Sequence, residues 1–194
     1  MPRSRKRSAA EDFSAAFGPG EQYRPYTEAD ATRLGERLPD VMKTILRNDG
    51  WCSYKDQVIW LCDPDDWSAA ARSWMPQSES AQVLGRTAFG DLFIHDGEMF
   101  WFAMVHEALL MMAVADADWF FSRTISAHDF APQTYLPERV KAARAAAGAL
   151  EWNELYTYVP ALVLGGSVET SRIERVQAPE ALVMLAQLAP IRRV

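Results

Sequence analysis

The sequence predicts an α+β fold, a mixed and mainly antiparallel sheet flanked by helices. Three observations carry this. Residues 81–113 read as a run of short apolar strands, helical patterns lie on either side of that run, and no internal repeat or low-complexity linker divides the chain. With 194 residues, 49% hydrophobic, and with seven Trp, nine Phe and six Tyr, the chain has enough bulky apolar surface to build one shared core.

Residues 1–10 read as a flexible basic tail, since Arg3, Arg5, Lys6 and Arg7 meet no acid there. Residues 13–17 are expected as a short helical turn stopped by Gly18-Pro19-Gly20. Thr27 is placed to cap a helix reaching Glu36, with Glu28 and Asp30 in its first turn. Pro39 suits the first turn of a helix over 40–48, where Val41, Ile45 and Leu46 share one face. Asn48-Asp49-Gly50 ends it, Trp51 and Tyr54 follow, and 57–62 is a short apolar strand. Asp63-Pro64-Asp65-Asp66 breaks that strand and is expected to cap a helix over 67–74. Further strands fall at Val83-Leu84, 91–95, 98–105 and 109–114, with Asp96-Gly97 as a hairpin turn. Asp116 and Asp118 open a helix carrying Trp119, Phe120, Phe121 and Ile125. Pro137 starts a helix that Gly148 stops, and 152–158 reads as helical or as a turn packed on the core. A bend at 162–166, an alternating strand over 172–176 and an amphipathic helix over 179–188 complete the order.

Charge narrows the function. The formal net charge is −6, and removing the four cations of the first seven residues leaves −10 for the body. Such a body repels phosphate backbones and attracts a basic partner, so direct nucleic-acid binding is not expected. No apolar run approaches the roughly 20 residues that span a bilayer, and the N-terminus lacks the apolar core of a secretory signal. A cytoplasmic protein without membrane contact is expected. Cys52 and Cys62, spaced C-x9-C, fit neither a disulfide framework nor a common zinc pattern and read as two buried thiols.

Catalytic chemistry finds little support. His95, His106 and His128 lie in no metal-binding frame: His106 precedes Glu107, but position 110 is Leu. Gly165-Gly166-Ser167 lacks the nucleophile-elbow pattern, and Leu84 to Gly90 lacks the Lys-Ser/Thr step of a phosphate loop. Neither a cofactor nor a metal is expected. The alternative kept open is an enzyme whose site gathers scattered residues such as His95, Asp96, His106 and Glu107.

The stretch Gly85-Arg-Thr-Ala-Phe-Gly-Asp-Leu-Phe93 is distinctive. With Leu38-Pro39, the Asn48-Asp-Gly-Trp51 turn and Asp63-Pro-Asp-Asp66, it resembles the bacterial GAD-like domain. Pro160-Ala-Leu-Val-Leu-Gly-Gly166 and Leu185-Ala-Gln-Leu188 resemble the C-terminal domain of unknown function that accompanies it in immunity proteins of type VI secretion DNase toxins. The Leu-Pro-helix-Gly-Trp opening is also similar to the wider immunity class related to the yeast cell-wall regulator fold. The likeness spans residues 11–190 and implies a non-catalytic cytoplasmic protein that binds and blocks a cognate toxin. The oligomeric state stays open, with one monomer per toxin the favoured arrangement. A toxin-loading adaptor is the other binding role.

The expected organisation is a tail over 1–10, a GAD-like region over 11–113 and a mostly helical region over 114–194 on the same core. Acids and aromatics in loops are the usual anchors of an interface with a basic partner, which nominates Asp63, Asp65, Asp66, Trp67, Asp116, Asp118 and Trp119. For each of them alone, a helix cap or a core Trp is the commoner role.

Overall fold

A computed structural model describes residues 7–126 and 135–194. The α+β expectation holds: an antiparallel sheet closed at one edge by a single parallel pair, with helices on both faces and a second, two-stranded sheet. The large sheet has the order β1 (Glu21–Arg24), β2 (Trp51–Tyr54), β3 (Ile59–Leu61), β4 (Gln82–Thr87), β5 (Leu92–His95), β6 (Phe100–Met104), β7 (Leu109–Met112) and β10 (Arg192–Arg193). Strands β8 (Glu154–Tyr158) and β9 (Ile173–Gln177) form the small antiparallel ribbon.

Alternation along the central hairpin separates two cores. Phe93, Phe100 and Phe102 enter one hydrophobic cluster, while Leu92, Ile94 and Ala103 enter the other, so the clusters lie on opposite faces. The first face is covered by α1 (Ala9–Phe17), α3 (Asp40–Asp49), the turn from α5 (Ala117–Trp119) into a π-helical stretch at Phe120–Thr124, and α6 (Pro137–Ala147). The second is covered by α4 (Ser68–Trp74) and α7 (Ala178–Leu188), joined where the Trp74 indole N–H donates to the Leu182 carbonyl at 3.1 Å.

Local chemistry explains the best-read elements. Helix α2 (Glu28–Leu34) starts in a reciprocal capping box between Thr27 and Asp30. The expected apolar face of α3 is buried through Val41, Met42, Ile45 and Leu46. The Asp96-Gly97 turn joins β5 to β6; Asp96 Oδ1 accepts from the backbone of Glu98 and Met99, and Gly97 has φ +99°.

Three differences have physical causes. Helix α1 begins at Ala9 because Ser8 and Glu11 form a capping box, inside the stretch assigned to the tail. Residues 152–158 contain a strand, β8, rather than a helix, because β9 supplies its ladder and Ala88 accepts from the Tyr156 N–H at 2.9 Å. The loop at 63–66 does not cap α4: Trp67 occupies the N-cap with no side-chain bond, and Asp63 is engaged elsewhere.

Both cores draw on both halves of the chain. The first contains Phe89 with Tyr156 and Tyr158; the second contains Val105 with Leu155 and Leu182. Gly90 sits at the junction with φ +88°, and a Cβ there would stand 2.8 Å from Leu155 and 3.3 Å from Leu182. Gly90→Ala should therefore cost about 1–3 kcal/mol in equilibrium urea unfolding. Wild-type stability in that variant would show that the junction is loosely packed.

Candidate partner-binding surface

The loop after β3 gathers a network of three acids and three arginines. Asp63 is 2% exposed and is held by both guanidinium nitrogens of Arg33, at 3.1 and 2.6 Å, and by Arg24 at 2.6 Å. Arg33 also pairs with Asp30 at 2.8 Å and with Asp65, while Arg37 reaches Asp65 at 2.8 Å. This bidentate, shared arrangement is the strong form of a charge-assisted bond. Hydrogen bonds that it donates to its carboxylate partners draw Arg33 well above the ordinary arginine range, with Asp63 the largest cause.

Two of the nominated acids are thus neutralised within the molecule. Asp66 is exposed and takes part in no ion pair among the described residues. Partial burial raises its pKa, and the neighbouring Asp63 raises it further. Trp67 is 1% exposed and presents no surface; its ring lies 5.3 Å from the guanidinium carbon of Arg86.

Arg86 is fully buried, stacked over Trp60 at 4.6 Å as well. Its Nη1 donates to the Thr87 carbonyl and its Nη2 to the Trp152 carbonyl, at 3.1 and 3.0 Å. Among the described residues no carboxylate bonds it, and desolvation lowers its pKa to about 10. Gln57 makes a second tie across the same joint: its amide donates to the Leu150 carbonyl at 3.0 Å and accepts from the Leu150 N–H at 2.9 Å. Phe89 makes a third, stacking on Tyr158 with centroids 5.4 Å apart. The distinctive 85–93 stretch is therefore the seam between the two halves. Asp91 completes it by accepting from the Val105 N–H at 3.0 Å; desolvation raises its carboxyl to about 7.

Beside this seam the Trp152 ring, 38% exposed, stacks on Tyr23 at 6.1 Å and 10°. Tyr23, Arg24, Asp66 and Trp152 line one surface notch. Arg24 and Asp66 are charged neighbours there, but Arg24 is committed to Asp63 and lies over the Trp51 ring at 5.2 Å. Tyr23, Arg86 and Trp152 escaped the sequence reading, although the 85–93 stretch that contains Arg86 did not.

The second nominated group lies apart. Asp116 caps α5 by accepting from the Trp119 N–H at 2.6 Å, as its position predicts, while Asp118 and Trp119 are exposed, Trp119 by 58%. By register, the 63–66 loop and Asp116 leave the sheet at the same end, but they lead into helices on opposite faces.

The four residues named for the scattered-site alternative are not brought together. His95 and Asp96 sit where β5 turns into β6, whereas His106 and Glu107 follow the far end of β6. His106 is buried against the Phe89 carbonyl at 2.8 Å, and desolvation lowers it to about 4. His128 lies outside the described residues. Cys52 and Cys62 are buried free thiols, both pushed up to about 12 by burial. Among the described residues no group of three or more His, Cys, Asp or Glu is placed to hold a metal ion, and no helix is long and apolar enough to cross a membrane.

A fold of two halves sewn along one seam matches two family models in tandem. The chain belongs to the GAD-like domain family, whose model covers residues 8–106. The model described as T6SS immunity protein Tdi1, C-terminal, covers residues 116–189, and this pairing supports a type VI secretion system (T6SS) immunity role, which suggests a non-enzymatic protein. The fold is similar to the crystal structure of Atu4351 from Agrobacterium tumefaciens, with a TM-score of 0.77 at 17% identity over 95% of this chain and 91% of that one. No curated protein matches the chain.

Two predictions separate structural from free acids. Asp63→Asn should cost about 2 kcal/mol in urea unfolding, because it removes the buried carboxylate that Arg24 and Arg33 share, whereas Asp66→Asn should stay within about 0.5 kcal/mol. Equal effects would contradict the network. For Asp91, the folded pKa of about 7 exceeds the ordinary 3.8, so the folded chain keeps a proton that the unfolded chain has lost between these values. Stability from this group falls as pH rises through that window. Asp91→Asn should therefore gain stability relative to wild type between pH ~4 and ~7; parallel stability curves would show that the carboxyl titrates normally. His106, shifted the opposite way, is common to both proteins and drops out of the comparison.

Proposed function

We propose that this chain is an immunity protein that binds a cognate toxin delivered by type VI secretion and neutralises it, and that the toxin is a DNase. The observation that carries the reading is the tandem of a GAD-like domain and a T6SS immunity C-terminal domain, both of which contribute to each of the two cores. Charge supports the nuclease assignment. A DNase must present a basic groove to DNA, and the body of this chain, outside its basic tail, carries a formal −10. Such a protein neutralises its toxin by covering or distorting the active site, one monomer to one toxin, in the cytoplasm of the producing cell. In this reading the exposed nominees Asp66, Asp118 and Trp119 meet the toxin, the exposed Asp65 and Asp116 are committed to ion pairs and a helix cap, and the buried Asp63 and Trp67 support the surface from within.

The test begins with a pull-down of the tagged protein from its native lysate. One stoichiometric partner bearing a nuclease or other toxin domain is expected; the absence of any such partner in cells expressing the secretion genes would count against immunity. With the partner in hand, Asp66→Lys combined with Asp118→Lys should slow association roughly tenfold at low salt and less at high salt. An unchanged on-rate at both salt concentrations would remove these acids from the encounter.

A further inference from the structure

The notch beside the seam has a chemistry of its own. Tyr23, Arg24 and Asp66 come from the GAD-like part and Trp152 from the C-terminal part, and together they line about 320 Å³. Small-molecule pockets run from about 300 to 1,000 Å³, so this notch lies at the bottom of that range and has room for a group the size of one side chain.

Its wall is preorganised. The Tyr23 hydroxyl donates to the Leu61 carbonyl at 2.9 Å, and its ring also meets Trp60 at 5.8 Å. Trp152 stacks on Tyr23 and has its carbonyl held by the buried Arg86. An exposed Trp fixed in this way loses little freedom on binding, which is the character of an interface anchor.

Charge selects the occupant. Arg24 is spent on Asp63, Asp30 and the Trp51 ring, whereas Asp66 has no ion-pair partner among the described residues. A carboxylate that makes no ion pair among the described residues, beside an exposed aromatic face, suits a flat cation. Arginine meets both demands, since its planar guanidinium stacks on a ring while its N–H groups fork a carboxylate. The protein uses the same arrangement internally, where Arg24 lies over Trp51 and binds Asp63.

We propose that the notch formed by Tyr23, Trp152 and Asp66 receives an arginine side chain of the protein partner, with the guanidinium on the Trp152 indole and its N–H groups on Asp66. That the partner is a toxin rests on the immunity reading; the chemistry of the notch does not.

The experiment titrates the full chain with N-acetyl-arginine amide and follows the Trp152 indole N–H signal by NMR, assigned with Trp152→Phe. A saturable shift is expected, half complete on the order of 10 mM, as a single stacked ion pair implies. The uncharged isostere N-acetyl-citrulline amide should leave the signal in place, and Asp66→Asn should weaken the arginine response about threefold. No saturable shift, an equal response to citrulline, an unaltered response in Asp66→Asn, or a stronger response to N-acetyl-lysine amide would each overturn the proposal. If wild-type protein failed to neutralise any co-purifying toxin while the arginine response persisted, the immunity reading would fall and the notch would stand.

Discussion

The rest of the structure depends on how one guanidinium is buried. Arg86 sits on β4 between the indoles of Trp60 and Trp67 and donates to the carbonyl of Trp152, far along the chain. A cation without a bonded carboxylate is costly to desolvate, and here two indole faces and two carbonyls offset part of that cost, while Nε stays buried without a partner among the described residues. The bond to Trp152 fixes the start of the small ribbon. The next residues of the same stretch then pack into it: Ala88 pairs with Tyr156, Phe89 stacks on Tyr158, and Gly90 closes on Leu155 and Leu182. The two family domains therefore share their interior rather than touching through a linker. A surface at their junction, such as the notch at Tyr23 and Trp152, is held by core contacts on both sides.

The acids of the 63–66 loop show how charge is divided between stability and surface. Asp63 and Asp65 bind β1, α2 and the turn after α2 to the loop through Arg24, Arg33 and Arg37. Those arginines cancel the acids, so the loop contributes less free negative charge than its sequence suggests. Asp66, one residue further on, is left facing solvent. Neighbouring carboxylates in one loop thus divide between holding the fold and remaining free for a partner.

Much of the architecture was legible because its causes are local. Apolar alternation and Asp96-Gly97 announce the β5–β6 hairpin, Thr27 and Asp30 announce α2, and the apolar spacing from Val41 announces α3. Strand β1 was missed because its four residues carry no alternation, and β2 because all four of its residues are buried. β8 reads locally as a helix or a turn packed on the core because its ladder is supplied by β9, beyond any local pattern. β10 has two residues and exists only through its parallel pairing with β7. The role of Asp63 was hidden for a similar reason: an aspartate ahead of a helix has the signature of a cap, whereas its partners lie 30 and 39 residues away. The 85–93 stretch stood out in the sequence, but its purpose as a seam needed the second half of the chain in place.

The claim that most needs testing is neutralisation itself. The most direct measurement is DNA cleavage by the co-purified toxin, titrated with this protein. The account predicts a linear fall to no cleavage at one equivalent. Undiminished cleavage by a toxin already saturated with the protein would contradict it, and would make the chain a carrier of the toxin rather than its inhibitor.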